Sequence, residues 1–172
     1  MMKNLGKIIL LTLGLSLFST SLMSFTNASA ATVNNGAPKE LKGTWITKVK
    51  KLSKTLRVKD SLYQRSIWYV GKNSTDESGL FYQTKTKPAS MFNAESSGAN
   101  KGLTYTKSGN TYYLNSKGDD NYFHYKAKLL NNRKIKLYFS SDKNVKKWHY
   151  NGEYYKQSTK LIHFTTNTKI KD

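Results

Sequence analysis

From about residue 40 onward, hydrophobic and polar positions alternate with a period of two, and clusters of Gly, Asn, Asp and Ser interrupt the pattern roughly every ten residues. That rhythm predicts short strands joined by tight turns. Residues 41–49 (LKGTWITKV) read as a first strand. In KTLRVKD, Leu56 and Val58 fall on one side and Arg57 and Lys59 on the other, which predicts a second. RSIWYVG is rich in β-branched and aromatic residues and predicts a strand ending at Gly71. Residues 72–79 (KNSTDESG) have the composition of a turn, and LFYQTKT predicts a strand that Pro88 halts. LTYT and TYYLN flank a Ser-Gly-Asn turn and form a predicted hairpin. The most regular hairpin is YFHYKAKLL-NNR-KIKLYFS. In it Phe123, Tyr125, Ala127 and Leu129 share one face, answered by Ile135, Leu137 and Phe139, while Lys126, Lys128, Lys134 and Lys136 point outward. Such alternation predicts a half-buried antiparallel sheet, apolar inside and basic outside. LIHFTT (161–166) reads as the last strand.

Two stretches depart from the rhythm. Residues 88–102 (PASMFNAESSGANKG) form the longest irregular run, with room for a helical turn over residues 91–95. DKNVKKWHYNGEYYKQ admits either a hairpin at Asn151-Gly152 or a short helix capped by Asp142. With eight to ten short strands and no long amphipathic helix, the expected fold is all-β: a single antiparallel β-barrel, or else a small sandwich.

The ends and the composition add a compartment. Lys3 and Lys7 precede the apolar run of residues 8–18, and Ala28-Ser29-Ala30 places small residues where a signal peptidase cuts. The expected organisation is a signal peptide (1–30), a flexible leader (31–40), the β-barrel domain (41–166) and a C-terminal tail (167–172). The chain contains no cysteine, so an exported product would have neither disulfides nor a lipid-modified cysteine, a pattern more bacterial than eukaryotic. The formal charge is +19, and loss of Lys3 and Lys7 would lower it by only two. Such a balance predicts attraction to polyanions, and outside a bacterial cell those are teichoic acids, anionic lipid surfaces and stray nucleic acid.

Gly43-Thr44-Trp45 resembles the Gly-x-Trp step on the first barrel strand of lipocalins and wider calycins, and PKELKGTW resembles the opening of small secreted lipocalin-like proteins of lactobacilli and related Gram-positive bacteria. The resemblance implies that Gly43 and Trp45 form a barrel floor. It also implies a cation from the last strand stacked over the tryptophan. That family uses an arginine there; this chain has only Arg57, Arg65 and Arg133, so Lys160 and His163 are the candidates for that place. A bacterial SH3-like wall-binding module is the alternative, because NGEYYK is similar to wall-targeting segments.

Catalysis is not expected. There is no thiol, His124, His149 and His163 lack close metal-ligand spacing, and nothing pairs Glu95 with Glu153 as a glycosidase would require. Asp119 and Asp120 read as a turn and not as a calcium loop. No metal or cofactor is expected. Two binding roles remain. One places a small apolar ligand in an interior lined by Trp68, Phe81, Phe123, Tyr125 and Phe139. The other rests an anionic cell-wall polymer or membrane surface on two basic clusters: Lys48, Lys50, Lys51, Lys54, Arg57 and Lys59, then Lys143, Lys146 and Lys147 beside Trp148. Export disfavours nucleic acid as the main partner, and a monomer is expected, secreted or loosely held at the wall.

Overall fold

Strands form where β-branched and aromatic residues alternate with polar ones. The computed structural model describes residues 31–93, 97–99, 101–118 and 121–170. It shows one antiparallel sheet of twelve strands. In chain order these are β1 (Asn34–Asn35), β2 (Gly43–Thr47), β3 (Lys50–Lys51), β4 (Tyr63–Val70), β5 (Thr75–Tyr82), β6 (Pro88–Asn93), β7 (Ser97–Ala99), β8 (Lys101–Ser108), β9 (Thr111–Lys117), β10 (Tyr122–Asn131), β11 (Lys134–Ser140) and β12 (His149–Ser158). The spatial order is β1-β8-β9-β10-β11-β12-β2-β4-β5-β6, with β3 beside β4 and β7 beside β5. Among the described residues no helix is long and apolar enough to cross a membrane.

The sheet curls strongly. Neighbouring strands lie about 4.8 Å apart, so a flat sheet would set β4 and β10 roughly 19 Å from each other. Yet the rings of Trp68 on β4 and Tyr125 on β10 are 5.4 Å apart. The curl does not close into a barrel: among the described residues no ladder joins β6 or β7 to β8. Instead the Gly36 N–H donates to the Leu103 carbonyl at 2.6 Å and the Ala37 N–H to the Lys72 carbonyl at 2.8 Å, which ties β8 to the β4–β5 turn. The closed barrel expected from the alternation thus gives way to an open, curled sheet. The reason lies in residues 88–102, whose Gly, Ser and Asn lack the alternating apolar face that registers a long strand. Their strands are six and three residues long and pair with opposite ends of β5.

Several local expectations change for identifiable reasons. Leu56 and Val58 are 64% and 55% exposed, and Lys54–Leu56 is a 3-10 turn, because this stretch has no strand edge to pair with. The turn at residues 72–79 shortens, since β5 begins at Thr75 and pairs with β4 along its length. Residues 88–93 form β6 and not a helical turn. Asn151-Gly152 is neither a hairpin nor next to a helix; it lies within β12, where the register against β11 shifts between Leu137 and Tyr138 and leaves Asn151 as an extra, bulged residue. Residues 161–164 are irregular, not a strand. The stretch expected to be a flexible leader contains β1, paired with β8, and the buried Ala37. Residues 1–30, Glu95, Asp119 and Asp120 lie outside the described residues.

Two apolar clusters sit on opposite faces. The inner one gathers Trp45, Trp68, Tyr112, Leu114, Tyr125, Ala127, Ile135, Leu137 and Tyr154 with their neighbours. The outer one is smaller: Ile46, Ile67, Leu80 and Tyr82 are covered by Phe164 of the C-terminal segment. Thr44 pins that segment by donating to the Lys160 carbonyl and accepting from the Ile162 N–H, both at 2.9 Å.

Gly43 has φ +119, and a Cβ there would collide with the Ser158 carbonyl oxygen of β12. Both the left-handed backbone and the close approach exclude a side chain. Gly43→Ala is expected to lower unfolding free energy by about 3 kcal/mol or more, read as a shift in the urea midpoint at unchanged slope.

Candidate functional site

The inner face begins at Trp45. Its indole is fully buried, and its Nε1–H donates to the Leu41 carbonyl at 2.7 Å. The Lys156 ammonium of β12 lies 4.9 Å from the centre of that ring and donates to the Glu40 carbonyl at 2.7 Å. A cation from the last strand therefore covers the tryptophan, and it is Lys156, neither Lys160 nor His163. Register explains this: Lys156 is the Cα partner of Trp45 across the β12–β2 ladder, whereas residue 160 is already past the end of β12. Partial burial holds the Lys156 pKa below its ordinary value, opposed by the charge of Glu40.

Four of the five expected interior residues meet in the inner cluster. Trp68 and Tyr125 are fully buried, and Phe123 and Phe139 pack against them with ring separations of 5.4 Å (Tyr125–Phe139) and 6.3 Å (Phe123–Phe139). Phe81 lies at an inward register position but outside that cluster.

Sequence reasoning missed Glu77. It is the cross-strand partner of Trp68, so it shares the inner face. Its Oε1 accepts from the Asn151 Nδ2–H at 3.0 Å, a bond that spans from β5 to β12. Burial pushes the Glu77 carboxyl up, opposed by the hydrogen bond from Asn151. In the sequence Glu77 sits in a run with turn composition; only the alternation continuing backward from Leu80 could have revealed it.

The outer face of β9 to β12 has a different chemistry. One row across four strands reads Tyr113, Lys126, Tyr138, Tyr150. The Lys126 ammonium lies 4.4 Å from the Tyr138 ring centre and 5.5 Å from that of Trp148, and Trp148 stands 6.2 Å from Tyr113. The next row places Lys128 opposite Lys136, two like charges across one ladder, with Glu153 beyond. Lys134 bonds Glu153 at 2.7 Å, which raises the lysine pKa and lowers that of the carboxyl. Lys134 and Lys48 both flank the Tyr155 ring, at 5.4 and 5.5 Å.

Part of each cluster expected to hold polyanions adjoins this face. Lys48 reaches it through Tyr155. Lys143, Lys146 and Lys147 are exposed on the segment leading to Trp148. Lys50, Lys51, Lys54 and Lys59 are exposed along β3 and the 3-10 turn, and the Arg57 Nε–H donates to the Leu52 carbonyl at 3.3 Å. The interleaved Lys126, Lys128, Lys134 and Lys136 were legible as outward residues, but their nearness to Lys48 depends on β12 lying beside both β11 and β2.

Two concavities accompany these faces. A groove of about 520 Å³ lies over the outer face of β4 and β5, lined by Tyr69, Asp76, Ser78, Asn93, His163 and Phe164 among others. Burial, and secondarily the Asp76 charge, raises the Tyr69 pKa there. A smaller opening of about 230 Å³ lies where β2 has ended and β12 continues, lined by Thr47, Lys48, Lys50, Asn151, Gly152 and Tyr155 among others.

No family model, no curated protein and no solved structure matches this chain.

The raised Glu77 pKa has a stability consequence. A carboxyl that is harder to ionise folded than unfolded favours the folded state below its ordinary value of 4.5, and this contribution is lost as pH rises through the folded value. Glu77→Gln mimics the protonated form. It is expected to raise Tm at pH 7, with the gap from the parent protein closing as pH falls below 4.5 in a thermal-melt series.

Proposed function

We propose that this protein is a secreted, non-catalytic binding protein of the bacterial surface, and that its outer aromatic–lysine face holds an anionic wall polymer of the teichoic acid kind. The observation that carries this reading is the row Tyr113, Lys126, Tyr138, Tyr150 joined to Trp148, set above the opposed pair Lys128 and Lys136. Like charges facing each other across a ladder oppose folding unless a counter-charge lies between them, and a phosphate-bearing chain supplies one at each repeat. The rings hold the lysine stems against the sheet, so less side-chain freedom is lost on binding.

The frame for this face is read as lipocalin-like. Support comes from the buried Trp45, the close approach at Gly43 and the Lys156 cation over the indole. A second reading keeps a small ligand among the inner rings, and the observation favouring it is the set of buried hydroxyls of Thr75, Tyr125 and Tyr154, with no hydrogen bond formed among the described residues, on the same face as Trp68.

Binding to purified walls measures the first reading. A lysine near an anionic surface is worth about 1 kcal/mol, so Lys126→Ala combined with Lys136→Ala should weaken binding roughly 20- to 30-fold. Binding should also fall steeply as salt rises and the Debye length drops below about 10 Å. Undiminished binding to walls stripped of teichoic acid would overturn the reading.

A further inference from the structure

We infer that the loop of residues 52–62 docks on an anionic lipid bilayer, with the Leu56 and Val58 side chains entering the boundary between headgroups and acyl chains and the surrounding lysines resting on the headgroups. It uses other residues than the wall-polymer face of β9 to β12, and it stands or falls independently of that reading.

Leu56 and Val58 are exposed on a loop that is fastened at several points. At its base the Leu52 N–H donates to the Leu62 carbonyl and the Leu62 N–H to the Tyr82 carbonyl, both at 2.9 Å. Leu52 is buried, and the Arg57 Nε–H donates to its carbonyl at 3.3 Å. Arg57 has an extended backbone and its side chain turns back to the base, so its neighbours Leu56 and Val58 face the other way, into water. The chain then reverses: the Ser61 N–H donates to the Val58 carbonyl at 3.0 Å, across a turn with Lys59 at φ +52. Asp60 ties this turn to β6 and to the β5–β6 turn. Its carboxylate accepts from the Gln83 amide and from the Ser90 N–H and hydroxyl, the latter two at 3.1 and 2.8 Å, and these bonds hold its pKa below the ordinary value.

The charge around these two side chains is of one sign. Lys50, Lys51, Lys54 and Lys59 are exposed in and beside the loop, and Lys85 and Lys87 are exposed on the turn that Asp60 reaches through Gln83. Asp60 is the only acid of residues 41–75, and its carboxylate is already taken up by Gln83 and Ser90. An anionic surface is therefore attracted to this end of the sheet.

The aliphatic side chains decide what kind of anionic surface fits. A phosphate-bearing polymer satisfies the lysines and offers nothing to Leu56 and Val58. A bilayer of anionic lipid satisfies both: its headgroups attract the lysines, and the hydrocarbon just beneath them takes the aliphatic side chains out of water. Neither signal is strong alone, so the contact is reversible and sensitive to salt. Leu62, also exposed, stands at the foot of the loop, where it would meet the headgroups once the turn has entered.

Sedimentation of the purified exported protein with vesicles of phosphatidylglycerol and phosphatidylcholine, and with vesicles of phosphatidylcholine alone, tests this. The protein is expected to bind the first far more tightly than the second. Leu56→Ser combined with Val58→Ser leaves every charge in place and should weaken that binding by about tenfold or more, with Tm unchanged because neither side chain is in the core. A tryptophan probe gives a second measurement: Leu56→Trp should be quenched by lipids brominated in their acyl chains beyond any quenching of the parent's own tryptophans. Equal vesicle binding by the serine pair and the parent, or no added quenching of Leu56→Trp, would reduce the contact to charge alone and overturn the proposal, whatever the outcome with purified walls. Weaker wall binding by the serine pair, with vesicle binding intact, would assign the loop to the polymer and overturn it too.

Discussion

Large rings removed from water together hold this molecule in shape. Trp45, Trp68, Tyr112, Tyr125 and Tyr154 are almost wholly inaccessible, and they come from β2, β4, β9, β10 and β12. Aromatic side chains bury more apolar area than any others, and at about 25 cal/mol per Å² each contributes several kcal/mol when enclosed. They can be enclosed together only if the sheet curls until β4 faces β10. With no cysteine to staple the chain, this burial carries the fold. Its geometric conditions are visible at single residues: Gly43 lets β12 approach, Thr44 fastens the C-terminal segment, and Gly36 and Ala37 link β8 to the β4–β5 turn.

Once the rings are inside, a period of two sends the alternate residues outward, and in β10 and β11 these are lysines. Basic surface is therefore a consequence of the same alternation that makes the core. The rings left outside, Tyr113, Tyr138, Trp148, Tyr150 and Tyr155, are interleaved with those lysines and held within 4.4 to 6.2 Å of an ammonium or another ring. The inner face also carries the Glu77 carboxyl, the cross-strand partner of Trp68, held by the Asn151 amide of β12.

How far this was legible differs from strand to strand. β10 and β11 were readable to within a residue, because a strict alternation with a short turn leaves one register open, and only the shift between Leu129 and Asn131 beside the turn was not foreseen. β4 was readable from its β-branched and aromatic content. Leu56 and Val58 alternate equally well and remain exposed, since a strand needs an edge to pair with and the sequence does not say whether one is present. Asn151-Gly152 has the composition of a hairpin turn, yet β12 runs through it, because β11 and β2 pair with residues on its two sides and a bulge absorbs the extra residue. Glu77 was hidden for the converse reason: a segment with turn composition is drawn into a strand by its pairing with β4.

By itself the sequence determined that the fold is antiparallel β, that in β10 and β11 one alternating set of apolar residues turns inward while the lysines turn outward, and that Trp45 belongs in the core. Each follows from a local period and from the cost of wetting aromatic surface, which need no knowledge of neighbours. Only the tertiary structure decided that the sheet stays open, that Lys156 covers Trp45, that Asn151 reaches Glu77, and that Lys48 and Trp148 adjoin the lysines of β10 and β11. Those outcomes depend on which strands lie side by side, and adjacency in space is set by the curl of the whole sheet.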